Sequence, residues 1–255
     1  MIANYHTHTI RCRHANGSER EMIEAALQAG LQELGFSDHA PQPFKSFYYS
    51  RMRMYPDQLS EYAETLRQIR EEYRDRIELH IGLEAEYYPD LFPELLEWCR
   101  ENGIEYLILG QHWLGNEEGE EHVYRPFVDE DRLARYVDQS TEAMRTGLFT
   151  YFAHPDLVNF VGDLEIYNQH MRRLIREAKA CKVPLEINLH GLSCGCDYPD
   201  QLFWELVAEE GAEVVIGRDA HCPEEFLETE TEEAVRNMVS RLGLKLLERV
   251  PLKKL

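Results

Sequence analysis

The 255-residue chain carries 27 Lys and Arg against 47 Asp and Glu, a formal charge of −20, and a field of that sign repels nucleic-acid backbones and anionic membranes. With 44% hydrophobic and 11% aromatic residues it has the composition of an ordinary globular protein, and its length suits a single α/β domain over 1–255. No apolar leader follows Met1 and no apolar run approaches the roughly 18 residues of a membrane span, so a cytoplasmic location is expected, with the six cysteines as free thiols.

Seven apolar runs alternate with segments of helical periodicity. IANYHTH (2–8) opens the chain ahead of a helix at about 18–30; LQELGFSDH (31–39) is followed, after a long loop, by a helix over 56–74 that Pro56 opens. IELHIGLEAEY (77–87) precedes helix 92–102, EYLILGQH (105–112) precedes helix 129–147 with Asp129 at its start, and FTYFAHP (149–155) precedes helix 165–181. PLEINLHG (184–191) and AEVVIGRDAH (212–221) then lead into helices at 199–210 and 231–243. This alternation is that of repeated βα units around a parallel sheet. In the third run Ile77, Leu79, Ile81 and Leu83 alternate with Glu78, His80, Gly82 and Glu84, so one face suits covering helices and the polar face points into the barrel. Residues 40–55 and 113–128 form the long loops, which in such an architecture usually carry function.

The histidines and acids gather at one position in these units. Six of the seven runs end in or near a metal-binding type: His6 and His8, His39, Glu84, His112, His154, and Asp219 with His221. The carboxyl ends of barrel strands form one rim, where active sites of this architecture lie. His6 and His8 are two apart on a strand and leave the same face, as do Asp219 and His221. These pairs come from the first and last runs, which barrel closure makes neighbours. A carboxylate such as Glu84 can bridge two ions, whereas an imidazole normally serves one, so a polynuclear site is expected. Glu86 competes with Glu84 for that role, being on the same face. His80, His122 and His170 read as structural; His190 ends the sixth run within reach of a substrate. The CGC at 194–196 reads as ordinary thiols.

The pieces HTHT, His14, FSDHAP, GLEAEY, LGQHWLG, FAHPDL and GRDAH, in this order over nearly the whole chain, resemble the PHP (polymerase and histidinol phosphatase) superfamily of metal-dependent phosphoesterases. SDHAPQPF, GLFTYFAHPDLVNF, PLEINLHGL and YPDQLFWELV look most like its monofunctional histidinol-phosphatase branch. The resemblance implies an α/β fold, a distorted seven-stranded (β/α)7 TIM-like barrel, holding two or three divalent ions, commonly zinc, iron or manganese. It places His6, His8, Glu84 and Asp219 on a first ion, Glu84 with His112 and His154 on a second, and His14, His39 and His221 on a third. It also implies hydrolysis of a small phosphorylated substrate, L-histidinol phosphate of histidine biosynthesis, by a metal-bound hydroxide. Arginine suits the remaining contacts to phosphate, and Arg51 and Arg53 in YYSRMRMYP are the expected pair, because NLHGLSCGCDYP has no arginine. Asp156 is expected to meet a substrate ammonium. The rivals are another phosphate ester or phosphotyrosine as substrate, an amidohydrolase-like hydrolase, which normally needs a lysine at a strand end, and a metal-binding module without turnover.

Overall fold

The structure is a computed structural model that describes residues 1–119 and 121–255. Among the described residues eight parallel strands form one sheet in which each strand lies beside its neighbour in sequence: β1 (Ala3–Asn4), β2 (Glu33–His39), β3 (Glu78–Ala85), β4 (Tyr106–Leu109), β5 (Phe149–Phe152), β6 (Leu185–Asn188), β7 (Glu213–Gly217) and β8 (Lys245–Leu246). Between them lie α1 (Glu19–Gln28), α2 (Leu59–Tyr73), α3 (Phe92–Glu101), α4 (Glu130–Arg145), α5 (Leu164–Cys181), α6 (Leu189–Ser193) and α7 (Gln201–Glu210), with α8 (Glu230–Leu242) joining β7 to β8. Among the described residues no helix is long and apolar enough to cross a membrane.

Sequence periodicity predicts seven strands and the fold has an eighth. Strand β8 is only two residues, an exposed lysine and a half-buried leucine, too short to leave an alternating pattern. It pairs with the beginning of β7 through Glu213 and Val214. Beyond the end of β7 the chain meets the first run instead: Thr7 and Ala220 are bridged in parallel, with the His8 N–H donating to the Ala220 carbonyl at 2.9 Å and the Ala220 N–H to that of His6 at 3.2 Å. The curled sheet thus brings its two ends together at the rim, which is where the predicted ligand pairs lie. Helix α6 is also unforeseen. Asn188 caps it by accepting the Gly191 N–H at 2.9 Å, so the chain turns sharply where the sixth run was expected to continue.

The third strand divides its faces as alternation requires. Ile77, Leu79, Ile81 and Leu83 are buried in the apolar layer between sheet and helices. Inside the barrel a second cluster, including Tyr5, Tyr106, Ile108, Tyr151, Val215 and Val250, fills the lumen. Tyr106 fits there because two facing positions lack side chains: a Cβ on Gly82 would stand 2.3 Å from its ring and one on Gly35 2.2 Å from its hydroxyl. That hydroxyl donates to the carbonyl of Tyr5 at 2.8 Å. The plug forms a floor of buried side chains, and the polar ends of the strands sit above it.

Candidate metal centre

The seven-residue ladder between β2 and β3 ends with His39 opposite Glu84, so register alone sets an imidazole beside the carboxylate at the centre of the rim. Glu84 is 2% exposed. Its Oε2 lies 2.8 Å from His39 Nδ1, 3.6 Å from His6 Nε2 and 3.7 Å from His8 Nε2. Its Oε1 lies 2.9 Å from His154 Nε2 and 3.4 Å from His112 Nε2. Asp219 Oδ1 stands 2.9 Å from His8 Nε2 and 3.3 Å from His6 Nε2. His154 and Asp219 both take positive φ, 35° and 53°, as the chain leaves β5 and β7. Such strain in non-glycine residues persists only where the surroundings fix it.

Four of these atoms, His6 Nε2, His8 Nε2, Glu84 Oε2 and Asp219 Oδ1, are buried, and despite these short distances none makes a hydrogen bond of acceptable angle among the described residues. Buried polar atoms are normally paired, because leaving one unmade costs about 1–3 kcal/mol. Four orphans converging on one point have the composition of a divalent-cation site. Donor atoms of His14, His39 and His221 lie within 4.8 Å of one another, and so do those of His6, Glu84 and His154. His14 Nδ1 is 2.9 Å from the Cys12 carbonyl and His221 Nδ1 is 2.8 Å from that of Asp219, which fixes each ring and leaves Nε2 free. The fold therefore brings all nine predicted residues together.

Electrostatics prepares the donors. Burial opposes ionisation of Glu84 and Asp219, yet the imidazoles around each hold both carboxyl groups well below their usual range. Burial keeps His39 and His221 well below the ordinary histidine value, hence neutral and able to donate a lone pair. Burial also works against a proton on His6, but Asp219, Glu186 and Glu84 outweigh it and push the ring up to about 10.

Three carboxylates behind the imidazoles escape sequence reasoning as partners of those rings. Glu186 Oε1 is 2.8 Å from His6 Nδ1, and its Oε2 accepts the His154 N–H at 3.1 Å. Glu86 Oε1 is 3.0 Å from His112 Nδ1, and Asp38 Oδ1 is 3.5 Å from His8 Nδ1. A carboxylate on the far nitrogen fixes tautomer and orientation and raises ligand basicity. The signal for Glu186 was present in LEIN, whose alternation puts Glu186 and Asn188 on the inner face with the other rim residues. Two glycines make room: a Cβ on Gly110 would stand 1.9 Å from Glu84 Oε1, and one on Gly217 1.7 Å from Glu186 Oε1.

The expected substrate contacts separate. Arg51 is exposed on its loop. Arg53 is 2% exposed and its guanidinium is committed elsewhere: it pairs with Glu86, donates to Glu117 at 2.7 Å and reaches the Ala40 carbonyl at 3.0 Å. Glu117 also accepts from Ser50 at 2.6 Å and Tyr48 at 3.0 Å, so Arg53 ties both long loops to the carboxylate behind His112. Asp156 accepts the Asp200 N–H at 2.7 Å and the Trp204 indole N–H at 2.8 Å. Burial raises its carboxyl to about 7, and it anchors the start of α7 instead of facing the cluster alone. His190 does reach the rim: its ring is 4.7 Å from that of His221, and its Nδ1 is 3.1 Å from Glu225.

Comparison with known proteins agrees with this geometry. The PHP domain family model matches residues 4–190. A probable histidinol-phosphatase of Deinococcus radiodurans is 31% identical over 237 residues, 88% of each chain. Another from Schizosaccharomyces pombe is 25% identical over 249 residues, covering 88% of this chain and 81% of its own. Among solved structures, the histidinol phosphate phosphatase of Lactococcus lactis, complexed with zinc, L-histidinol and phosphate, superimposes with a TM-score of 0.73 at 18% identity, covering 96% of this chain and 95% of its own. A putative histidinol phosphatase of Listeria monocytogenes gives 0.72 at 20% identity, covering 88% and 96%. The match to the family model over most of the chain, with the barrel and its rim of donors, places this protein in the PHP domain family.

Proposed function

We propose that this protein is a divalent-metal-dependent phosphomonoesterase that hydrolyses L-histidinol phosphate to L-histidinol and phosphate. The observation that carries the reading is the convergence of four unpartnered buried donors, from His6, His8, Glu84 and Asp219, on a chain 31% identical to a probable histidinol-phosphatase. In this reading those four residues hold one ion; Glu84 shares a second with His112 and His154; and His14, His39 and His221 hold a third. Divalent ions so bound supply Lewis acidity toward a phosphate oxygen and make water acidic enough to attack near neutral pH.

The chain's own residues do the rest. Glu86 and Glu186 keep His112 and His6 oriented with their other nitrogen toward the centre, and Asp38 stands 3.5 Å behind His8. Five buried carboxylates touch the donor imidazoles, namely these three with Glu84 and Asp219, and Arg53 is the one buried guanidinium paired with them among the described residues. Arg53 is shared with a sixth buried carboxylate, Glu117, so the formal excess is five negative charges, which two divalent ions leave negative and a third makes positive. A positive pocket is what a phosphate dianion requires in a protein of charge −20, so three ions suit the substrate better than two. The tyrosine floor blocks the barrel from below, leaving the rim as the approach. In this reading the rim residue His190 and the exposed Arg51 are the residues left to meet substrate, while Arg53 and Asp156 act on the loops.

The test is phosphate release from L-histidinol phosphate beside a panel of other monoesters, phosphotyrosine and an oligonucleotide, using protein of known metal content. A preference for histidinol phosphate of several orders of magnitude in kcat/KM is expected. Comparable rates across the panel would overturn the substrate assignment, and turnover by protein stripped of metal would overturn the chemistry.

A further inference from the structure

Cys12 is fully buried, at 0% exposure, yet it belongs to neither apolar cluster of the protein. Cys99, equally buried, lies within the larger one. A buried free cysteine ordinarily behaves as a small hydrophobe among other hydrophobes; Cys12 is instead set among imidazoles. Its sulfur, a ring nitrogen of His8 and a ring nitrogen of His221 all lie within 4.8 Å of one another. The His8 ring is 0% exposed and, among the described residues, its Nδ1 has no hydrogen-bond partner. The His8 and His221 rings are stacked 4.2 Å apart, with His14 4.8 Å from His221.

The backbone holds the sulfur in this place. Thr9 caps a short turn over Ile10–Cys12 that ends with Arg13 at φ 70°. The residues on either side of Cys12 are held by partners of their own: Arg11 donates to Glu61 at 2.9 Å, and Arg13 donates to the carbonyls of Ser50 at 2.5 Å and Arg53 at 2.8 Å. Ile10 is 58% exposed. The turn thus spends an apolar residue on solvent and places a thiol against the histidine cluster.

We propose that Cys12 is a metal ligand, contributing a thiolate to the ion held at His221 and losing its proton to solvent on binding. This ligation presupposes the metal centre at the rim but no particular substrate. A thiolate beside imidazoles favours zinc over the harder ions that carboxylate-rich sites accept. A fourth protein donor beside His14, His39 and His221 would also close the coordination of that ion, the arrangement of a structural zinc. The rim would then carry one closed, soft position next to open ones centred on Glu84.

Cobalt(II) tests this without any turnover. Stripped protein is reloaded with cobalt, the metal is counted per chain, and the near-ultraviolet spectrum is read for a sulfur-to-cobalt charge-transfer band. The band is expected in the wild type and in the Cys194→Ser and Cys222→Ser variants. It should vanish in Cys12→Ser, while the visible bands of the remaining cobalt persist. A fully loaded wild type without the band, or a Cys12→Ser protein that retains it, overturns the proposal. Should Cys12→Ser fail to fold, X-ray absorption on the zinc-loaded wild type decides: a sulfur shell at about 2.3 Å supports ligation, and a shell of nitrogen and oxygen alone overturns it. Failure of the phosphatase reading would show in the substrate panel and leave this band unchanged.

Discussion

Replacing Gly110 by alanine is expected to cost the protein its metals while sparing the fold. The new Cβ would stand 1.9 Å from Glu84 Oε1, 2.5 Å from its Cδ and 2.7 Å from its Cγ, which for the oxygen is about 1.5 Å inside ordinary contact. Gly110 is not among the residues with positive φ, so the backbone accepts alanine and the clash falls wholly on the carboxylate. Glu84 cannot retreat without leaving His154 at 2.9 Å and His39 at 2.8 Å. Overpacking of this kind costs about 1–3 kcal/mol of stability, offset in part by about 0.4–1 kcal/mol from the stiffer unfolded chain. Loss of an outer partner of a ligand weakens metal binding about 10–100-fold. Displacing a donor that touches several ligands should exceed the upper figure, equivalent to more than about 2.7 kcal/mol. Equilibrium dialysis against buffered free zinc, with metal analysis and a thermal midpoint as control, measures both quantities. A folded Gly110→Ala protein that fills at the wild-type zinc concentration would refute the central place of Glu84.

Three other outcomes follow from the same geometry. Glu186→Gln keeps the shape but removes the charge behind His6, and zinc competition assays should register a loss of about 10–100-fold in affinity; unchanged affinity would mean that Glu186 does not tune His6 as a ligand. Arg53→Met strands Glu86 and Glu117 as buried carboxylates, so denaturant melts should lose about 3–5 kcal/mol; a selective rise in KM at full stability would restore the phosphate contact expected from sequence. His6 in the metal-free protein is raised from 6.5 to about 10, so its contribution to stability is full below pH 6.5 and is lost as pH climbs through 10. Metal loading at about pH 8 must then release protons, detectable as a dependence of calorimetric heats on buffer ionisation enthalpy, and heats independent of buffer would contradict it.

The rim was legible because its residues repeat at one place in successive βα units. His6, His8, His39, Glu84, His112, His154, Asp219 and His221 each follow an apolar run, and parallel pairing then aligns run ends, as it does for His39 and Glu84. His14 lies just past the short turn that follows the first run, off the end of any strand, so it stood out as the third histidine in fourteen residues, and the family resemblance assigned its ion. The partners behind the ligands were hidden for the opposite reason. Asp38 and Glu186 lie one or two residues inside their strand ends, where a charged residue looks like ordinary alternation until the strand beside it is known. Arg53 was misjudged because a loop arginine in sequence carries no sign of the buried Glu86 and Glu117 that claim it. The eighth strand escaped because two residues have no period.

Anomalous diffraction from metal-loaded crystals, collected on either side of the absorption edge, tests the central claim most directly. One peak is expected among His6, His8, Glu84 and Asp219, a second sharing Glu84 with His112 and His154, and a third at His14, His39 and His221. Strong peaks that lie elsewhere, or a loaded protein whose Glu84 touches no ion, would contradict the metal centre proposed for the rim.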